Sequence, residues 1–195
     1  MRTSGRWDGK GWVCAVLPEF CSKMIRPPLG MTTGEAIIEM LDALLHRGPD
    51  SAGYALYREP LAGTLRLRFL VQGGAEAALK VARIKQALSE HGAEIIQDET
   101  IGCLYGAVIR FAGDIQKLSF DMEHIARVFS LGTSLDIIKD VGHPRELAKR
   151  YGIAAFNGTH AIGHTRLATE SGVHSETSHP FWATGFADVA VVHNG

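Results

Sequence analysis

The last third of the chain holds side chains suited to acyl transfer at an amide. Arg166, in Gly163-His164-Thr165-Arg166-Leu167-Ala168-Thr169, suits a carboxylate clamp. A guanidinium grips a carboxylate through two parallel charge-assisted hydrogen bonds. Thr169 adds a hydroxyl three residues on. Asn194-Gly195 suits an oxyanion hole, with one side-chain amide N–H and one backbone N–H that no Cβ shields. Ser178-His179-Pro180-Phe181 lies between them, and an earlier run, Arg47-Gly48-Pro49-Asp50-Ser51-Ala52-Gly53, accompanies the set. Such a reaction also needs a nucleophile and a base, and Cys14 is the candidate nucleophile.

Each piece alone has a plainer reading. A single Arg in a strand-to-loop segment is usually a surface ion pair, and a motif in isolation is weak. Asn-Gly is most often a turn. Arg-Gly-Pro-Asp is a turn with φ fixed at the proline. The ordered set, running from Arg47 to Gly195, is far more specific. It resembles the pocket of class II (N-terminal-nucleophile) glutamine amidotransferases, especially the glutamate-synthase-like subunits, including those of methylamine–glutamate methyltransferase type.

The resemblance implies an α+β fold, the four-layer αββα sandwich of N-terminal-nucleophile hydrolases. It implies that Arg47, Arg166 and Thr169 bind substrate and that Asn194 and Gly195 form the oxyanion hole. The implied activity is a glutaminase half-reaction through a cysteine thioester, with no cofactor on this chain. The implied partners are glutamine and a flavin-containing, glutamate-synthase-like synthase subunit that receives the ammonia. The alternative is a non-catalytic remnant that keeps the pocket without a working nucleophile.

The opening departs from the family pattern. The family's nucleophile is a cysteine at the mature N-terminus whose own α-amine takes the thiol proton. Here thirteen residues precede Cys14, and Ala15 and Pro18 stand where the family has glycines. Three readings are open: Met1 to Val13 is a propeptide, Cys14 is a buried structural thiol, or the segment is translated out of frame. Codons shifted by one base from Val13 onward permit Met-Cys-Gly-Ile-Ala-Gly-Ile-Leu, the family's opening strand, which the gene's nucleotide sequence tests. The resemblance therefore implies that residues 1–28 are an atypical segment and 29–195 a partial amidotransferase domain. The resemblance also implies further strands after Gly195, so the sandwich is expected to be incomplete there. Pro18 cannot donate to a ladder, which predicts poor strand pairing around Cys14.

Composition bounds the rest. The 195 residues are 46% hydrophobic with a formal net charge of −1, enough for one domain with a core. That charge gives no electrostatic reason to expect nucleic acid or an anionic membrane. No apolar run approaches a bilayer span, and the N-terminus has no apolar signal region. Three cysteines without metal spacing fit a reducing cytoplasm. The histidines at 160, 164, 174, 179 and 193 lack regular ligand spacing, so no metal is expected; His164, His179 and His193 are expected to pack around the pocket.

Periodicity supplies the elements that must position these groups. A helix is expected from Thr32, capped by Thr32 or Thr33 with Glu35 in its first turn. Strands are expected over Ser51–Tyr57 and Leu65–Val71, joined as a hairpin through Pro60 and Gly63. A helix over Ala75–His91 follows, then strands over Ala93–Gln97 and Cys103–Phe111. The pattern next predicts a short helix over Asp121–Phe129, a loop over Ser134–Gly142 and a helix from Pro144. Strands over Ala161–Leu167 and Val189–His193 close the chain, the latter as a buried run.

Overall fold

The computed structural model describes residues 12–16, 23–25, 27, 29–45, 48, 50–167 and 174–193. In chain order the elements are β1 (Trp12–Val16), β2 (Lys23–Ile25), α1 (Thr33–Ala43), β3 (Ser51–Tyr57), β4 (Thr64–Leu70), α2 (Ala75–Glu90), β5 (Glu94–Ile101) and β6 (Leu104–Arg110). There follow α3 (Ile115–Glu123), β7 (Arg127–Gly132), β8 (Leu135–Val141), α4 (Pro144–Arg150), β9 (His160–Arg166), β10 (Phe181–Trp182) and β11 (Ala190–Val191). The result is an α+β architecture with two main sheets. One has strand order β2-β1-β9-β3-β8, the other β5-β6-β4-β7, and β10 pairs with β11.

The first sheet carries the Arg166 motif on a central strand. β9 runs antiparallel to β3 and parallel to β1. All seven residues of β3 are buried, so both of its faces are covered. Helix α1 packs on β9 and β1 and buries Ile37 and Leu41 completely, each contributing about 1.5–3 kcal/mol relative to exposure. Its start is fixed by a capping box: Thr32 Oγ1 accepts from the Glu35 N–H, and Glu35 accepts from the Thr32 N–H. That satisfies two helix donors that would otherwise lack partners. On the sheet face toward α4, the Tyr54 hydroxyl donates to the Pro144 carbonyl at 2.8 Å.

A buried ion pair ties the two sheets. Arg68 on β4 donates from Nε and Nη2 to the two carboxylate oxygens of Asp136 on β8, at 2.9 and 2.7 Å. Both residues are buried. Burial works against the Asp136 anion, but Arg68, then Arg58 and Arg66, hold its carboxyl below the usual range.

Several sequence expectations need correction. β3 and β4 are not a hairpin. They lie in different sheets, because the ladder positions of β3 are taken by β8 and β9. The helix expected over Asp121–Phe129 lies earlier, at Ile115–Glu123, because Asp114 caps it by accepting from the Gln116 and Lys117 N–H groups. Phe129 belongs instead to β7. The loop expected over Ser134–Gly142 contains a strand, β8. The buried strand expected over Val189–His193 shrinks to Ala190–Val191, with Val189 and Val191 exposed. Around Cys14 a strand does form: β1 pairs with β9 over five positions and with β2 over three. That strand is described over Trp12–Val16; Pro18 lies outside the described residues.

Candidate functional site

Four sequence motifs far apart in the chain meet at the C-terminal end of β9. The antiparallel register sets Gly53 opposite His164 and Ser51 opposite Arg166. The Asp50 N–H donates to the Arg166 carbonyl at 3.1 Å. A Cβ at Gly48 would come within 2.8 Å of the Arg166 carbonyl carbon, and one at Gly53 would collide with the His179 carbonyl. Both glycines therefore serve close backbone approach. They let the first motif lie against Arg166 and let the His-Pro-Phe segment cross β3. The His164 and His179 rings lie 4.5 Å apart, and His179 meets the edge of Phe181 at 4.5 Å. The His193 backbone lies close enough to His164 to favour its protonated form, which brings His193 of the last motif to the same place.

Arg166 is half-buried, and its Nη1 donates to the Thr177 carbonyl at 3.1 Å and to the Thr177 hydroxyl at 2.8 Å. It thus pins the loop that precedes Ser178-His179. Lys139 on β8 holds the same loop from below, donating to the Ser178 carbonyl at 2.7 Å. Its ammonium also sits 4.6 Å from the Phe129 ring centre and 4.5 Å from that of Phe181, a cation–π arrangement. Ser175 is anchored by its hydroxyl donating to Asp140 at 2.7 Å.

The region is cationic without charged histidines. Burial, then Arg166, pushes His164 down to about 4, and burial, then His164, Lys139 and Arg166, does the same to His179. Near neutral pH both rings are uncharged, and the lasting positive charge comes from Arg166, joined by Lys139 while its amine is protonated. A carboxylate is the ligand charge that this field favours. Among the described residues, no three His, Cys, Asp or Glu side chains stand together as metal ligands.

Burial outweighs the partners of Lys139 and brings its pKa from 10.5 to about 7, with Arg127 adding to the effect. Between these values the unfolded chain holds a proton that the folded chain has released. Unfolding free energy therefore rises with pH across that window. Lys139→Met is expected to flatten the rise, visible in denaturation midpoints of both proteins from pH 7 to 10; parallel curves would contradict this.

Asp188 fixes the approach to the last motif. Its carboxylate accepts from the Thr133, Ser134 and Leu135 N–H groups and from both hydroxyls of Thr133 and Ser134, at 2.7 to 3.0 Å. Burial opposes ionisation, but these donors, led by the Ser134 N–H, hold its carboxyl below the usual range. The β10–β11 hairpin is thereby tied to the β7–β8 turn.

Of the residues singled out from sequence, Arg166 stands at the convergence. Cys14 lies in β1, its backbone paired with Ile162, two residues before His164 on the adjacent strand. Arg47, Thr169, Asn194 and Gly195 lie outside the described residues. Sequence reasoning missed Lys139, Thr177, Asp140 and Asp188. The Gly-Thr-Ser-Leu-Asp run at 132–136 was the available signal for Asp188, since a turn rich in N–H and hydroxyl donors needs an acceptor.

No protein-family model matches the chain. Over 186 residues, 94% of the chain, it is 33% identical to the glutamine amidotransferase-like protein GlxB of Rhizobium meliloti (strain 1021), of which it covers 58%. Over 176 residues it is 35% identical to a provisionally named glutamine amidotransferase of Methanothermobacter thermautotrophicus, covering 84% of this chain and 56% of that protein. A shorter match, 33% over 90 residues, reaches the glutamine–fructose-6-phosphate aminotransferase (isomerizing) of Aeropyrum pernix and covers 14% of it. The chain spans just over half the length of the first two relatives. Among the described residues no helix is long and apolar enough to cross a membrane.

Proposed function

We propose that this chain, whose homologues support a glutamine amidotransferase family, binds glutamine at the end of β9 and releases ammonia from its side-chain amide. The supporting observation is the convergence of the four motifs around Arg166, His164 and His179. In this reading Arg166 takes the α-carboxylate, with Arg47 and Thr169 beside it. Asn194 and Gly195 hold the oxyanion. A nucleophilic Cys14 thiol attacks the side-chain carbonyl carbon. Its proton passes to a free α-amine at Cys14 and then to the departing nitrogen, which leaves as ammonia. Water attacks the thioester, giving glutamate and restoring the thiol. The domain is then of the class II, N-terminal-nucleophile type with the αββα sandwich. Its ammonia goes to a flavin-containing, glutamate-synthase-like partner, in the cytoplasm.

A second reading keeps the pocket without catalysis. It is favoured by the place of Cys14 inside β1, where Trp12 and Val13 precede it and pair with His160 and Ala161. An amide nitrogen in a ladder is no base.

Glutamine binding tests what both readings share. Calorimetry is expected to show Arg166→Lys binding L-glutamine roughly 10- to 150-fold more weakly than the parent, the loss of charge-assisted hydrogen bonds worth about 1.5–3 kcal/mol. Thr177→Ala removes the loop contact but keeps the guanidinium, and is expected to have the smaller effect. Equal losses in the two variants would mean that Arg166 only braces the loop.

A further inference from the structure

A cavity of about 400 Å³ lies away from the glutamine site. Leu56 and Asp136, which line it, sit near the Tyr57–Leu135 end of β3 and β8, on the face opposite Gly53 and Lys139. Its walls also carry Arg58, Arg66, Arg68, Asp98 and Glu99, so three guanidiniums share the cavity with three carboxylates that are already engaged. Asp136 is taken by the two-pronged bond from Arg68, and Glu99 also faces Arg68, at 3.4 Å. Asp98 is paired with Lys85 at 2.6 Å. Arg58 and Arg66 remain. Among the described residues neither has a carboxylate within ion-pair distance.

Arg58 lies with its guanidinium carbon 4.8 Å from the Phe156 ring centre, and its buried Nε has no hydrogen-bond partner. Burial, then Arg58, pulls the Arg66 guanidinium below its ordinary value. Asp136 attracts Arg66 without offsetting the effects of burial and Arg58, so a further anion between the two half-buried cations is favourable. Guanidinium pairs are the usual means of gripping phosphate and carboxylate oxygens in two-pronged fashion.

We propose that this cavity binds a small oxyanion carrying two negative charges, with Arg58 and Arg66 as its direct ligands and the Arg68–Asp136 pair as its fixed floor. A phosphate group and a dicarboxylate share that chemistry. The site is independent of glutamine chemistry and would report the level of a second metabolite to this domain.

Thermal unfolding with inorganic phosphate, with succinate and with sodium chloride at matched ionic strength tests the proposal. One dianion at ten times its Kd is expected to raise Tm by about 3–5 °C over chloride, and which one does so identifies the source. The gain should vanish in the double variant Arg58→Gln, Arg66→Gln. Should that variant not fold, the parent protein gives a second readout: the effective dianion protects Arg58 and Arg66 from phenylglyoxal, scored by mass spectrometry. No gain beyond chloride, an equal gain in the variant, or unprotected arginines would overturn the proposal.

Discussion

Cutting the chain so that Cys14 becomes its first residue is expected to raise glutamine hydrolysis by about 10²- to 10⁴-fold, the contribution typical of a positioned general base. In the uncut chain the nitrogen of Cys14 is a peptide amide within β1. After the cut it is an α-amine with a pKa of about 8, able to take the thiol proton. The cut is structurally cheap. It removes the pairs Trp12–His160, Val13–Ala161 and Val13–Ile25 but leaves Cys14, Ala15 and Val16 paired with Ile162, Gly163 and His164. A specific protease site placed before Cys14, with ammonia release as the readout and Cys14→Ala as the blank, makes the comparison. Activity that is equal before and after cleavage would remove the role proposed for the α-amine, and silence in both states would favour the non-catalytic reading.

The largest stability loss is expected from Asp136→Ala, roughly 3–5 kcal/mol or more, because it strips a buried guanidinium of its carboxylate. The site makes this severe. Arg58 and Arg66 also help hold the Asp136 carboxyl ionised, so its removal leaves three guanidiniums with Glu99, 3.4 Å from Arg68, as the carboxylate in ion-pair range. The double change Asp136→Leu, Arg68→Met is expected to recover much of the loss, since apolar replacements of a buried pair are often near neutral. Urea midpoints of the three proteins decide it. A mild single variant would mean that the pair contributes little to joining the sheets.

How much of this was legible in the sequence depended on where each side chain finds its partner. α1 and its Thr32 cap, α2, β3 and β9 were readable because their signals are local: a cap three residues from the N–H it accepts, a helical apolar period, an alternating or apolar strand pattern. β8 was not. In Leu135-Asp136-Ile137-Ile138-Lys139-Asp140-Val141 the charges look like solvent-facing loop residues. Yet Asp136 is satisfied by Arg68, Lys139 by the Ser178 carbonyl and Asp140 by Arg150, Tyr151 and Ser175. Those partners lie 10 to 68 residues away, and no periodicity encodes them. The β3–β4 hairpin failed for a related reason, since turn residues at Pro60 and Gly63 reverse the chain without deciding which sheet the next strand joins. Asp114 was a missed local signal, a cap that would have placed α3 correctly.

The candidate site divides the same way. The motif residues were visible as types and order, and the glycines at 48 and 53 now have a steric reason that sequence could not supply. The braces behind them, Thr177, Lys139 and Asp188, act through backbone carbonyls and N–H groups, which leave no mark on residue identity.

A crystal structure with L-glutamate bound, the product of the proposed hydrolysis, is the most direct examination of the pocket. It needs no working nucleophile. The predicted result is the α-carboxylate paired with the Arg166 guanidinium and the side-chain carboxyl within hydrogen-bond reach of Asn194 and the Gly195 N–H. Glutamate bound elsewhere, or Arg166 and Asn194 opening onto separate surfaces, would contradict it.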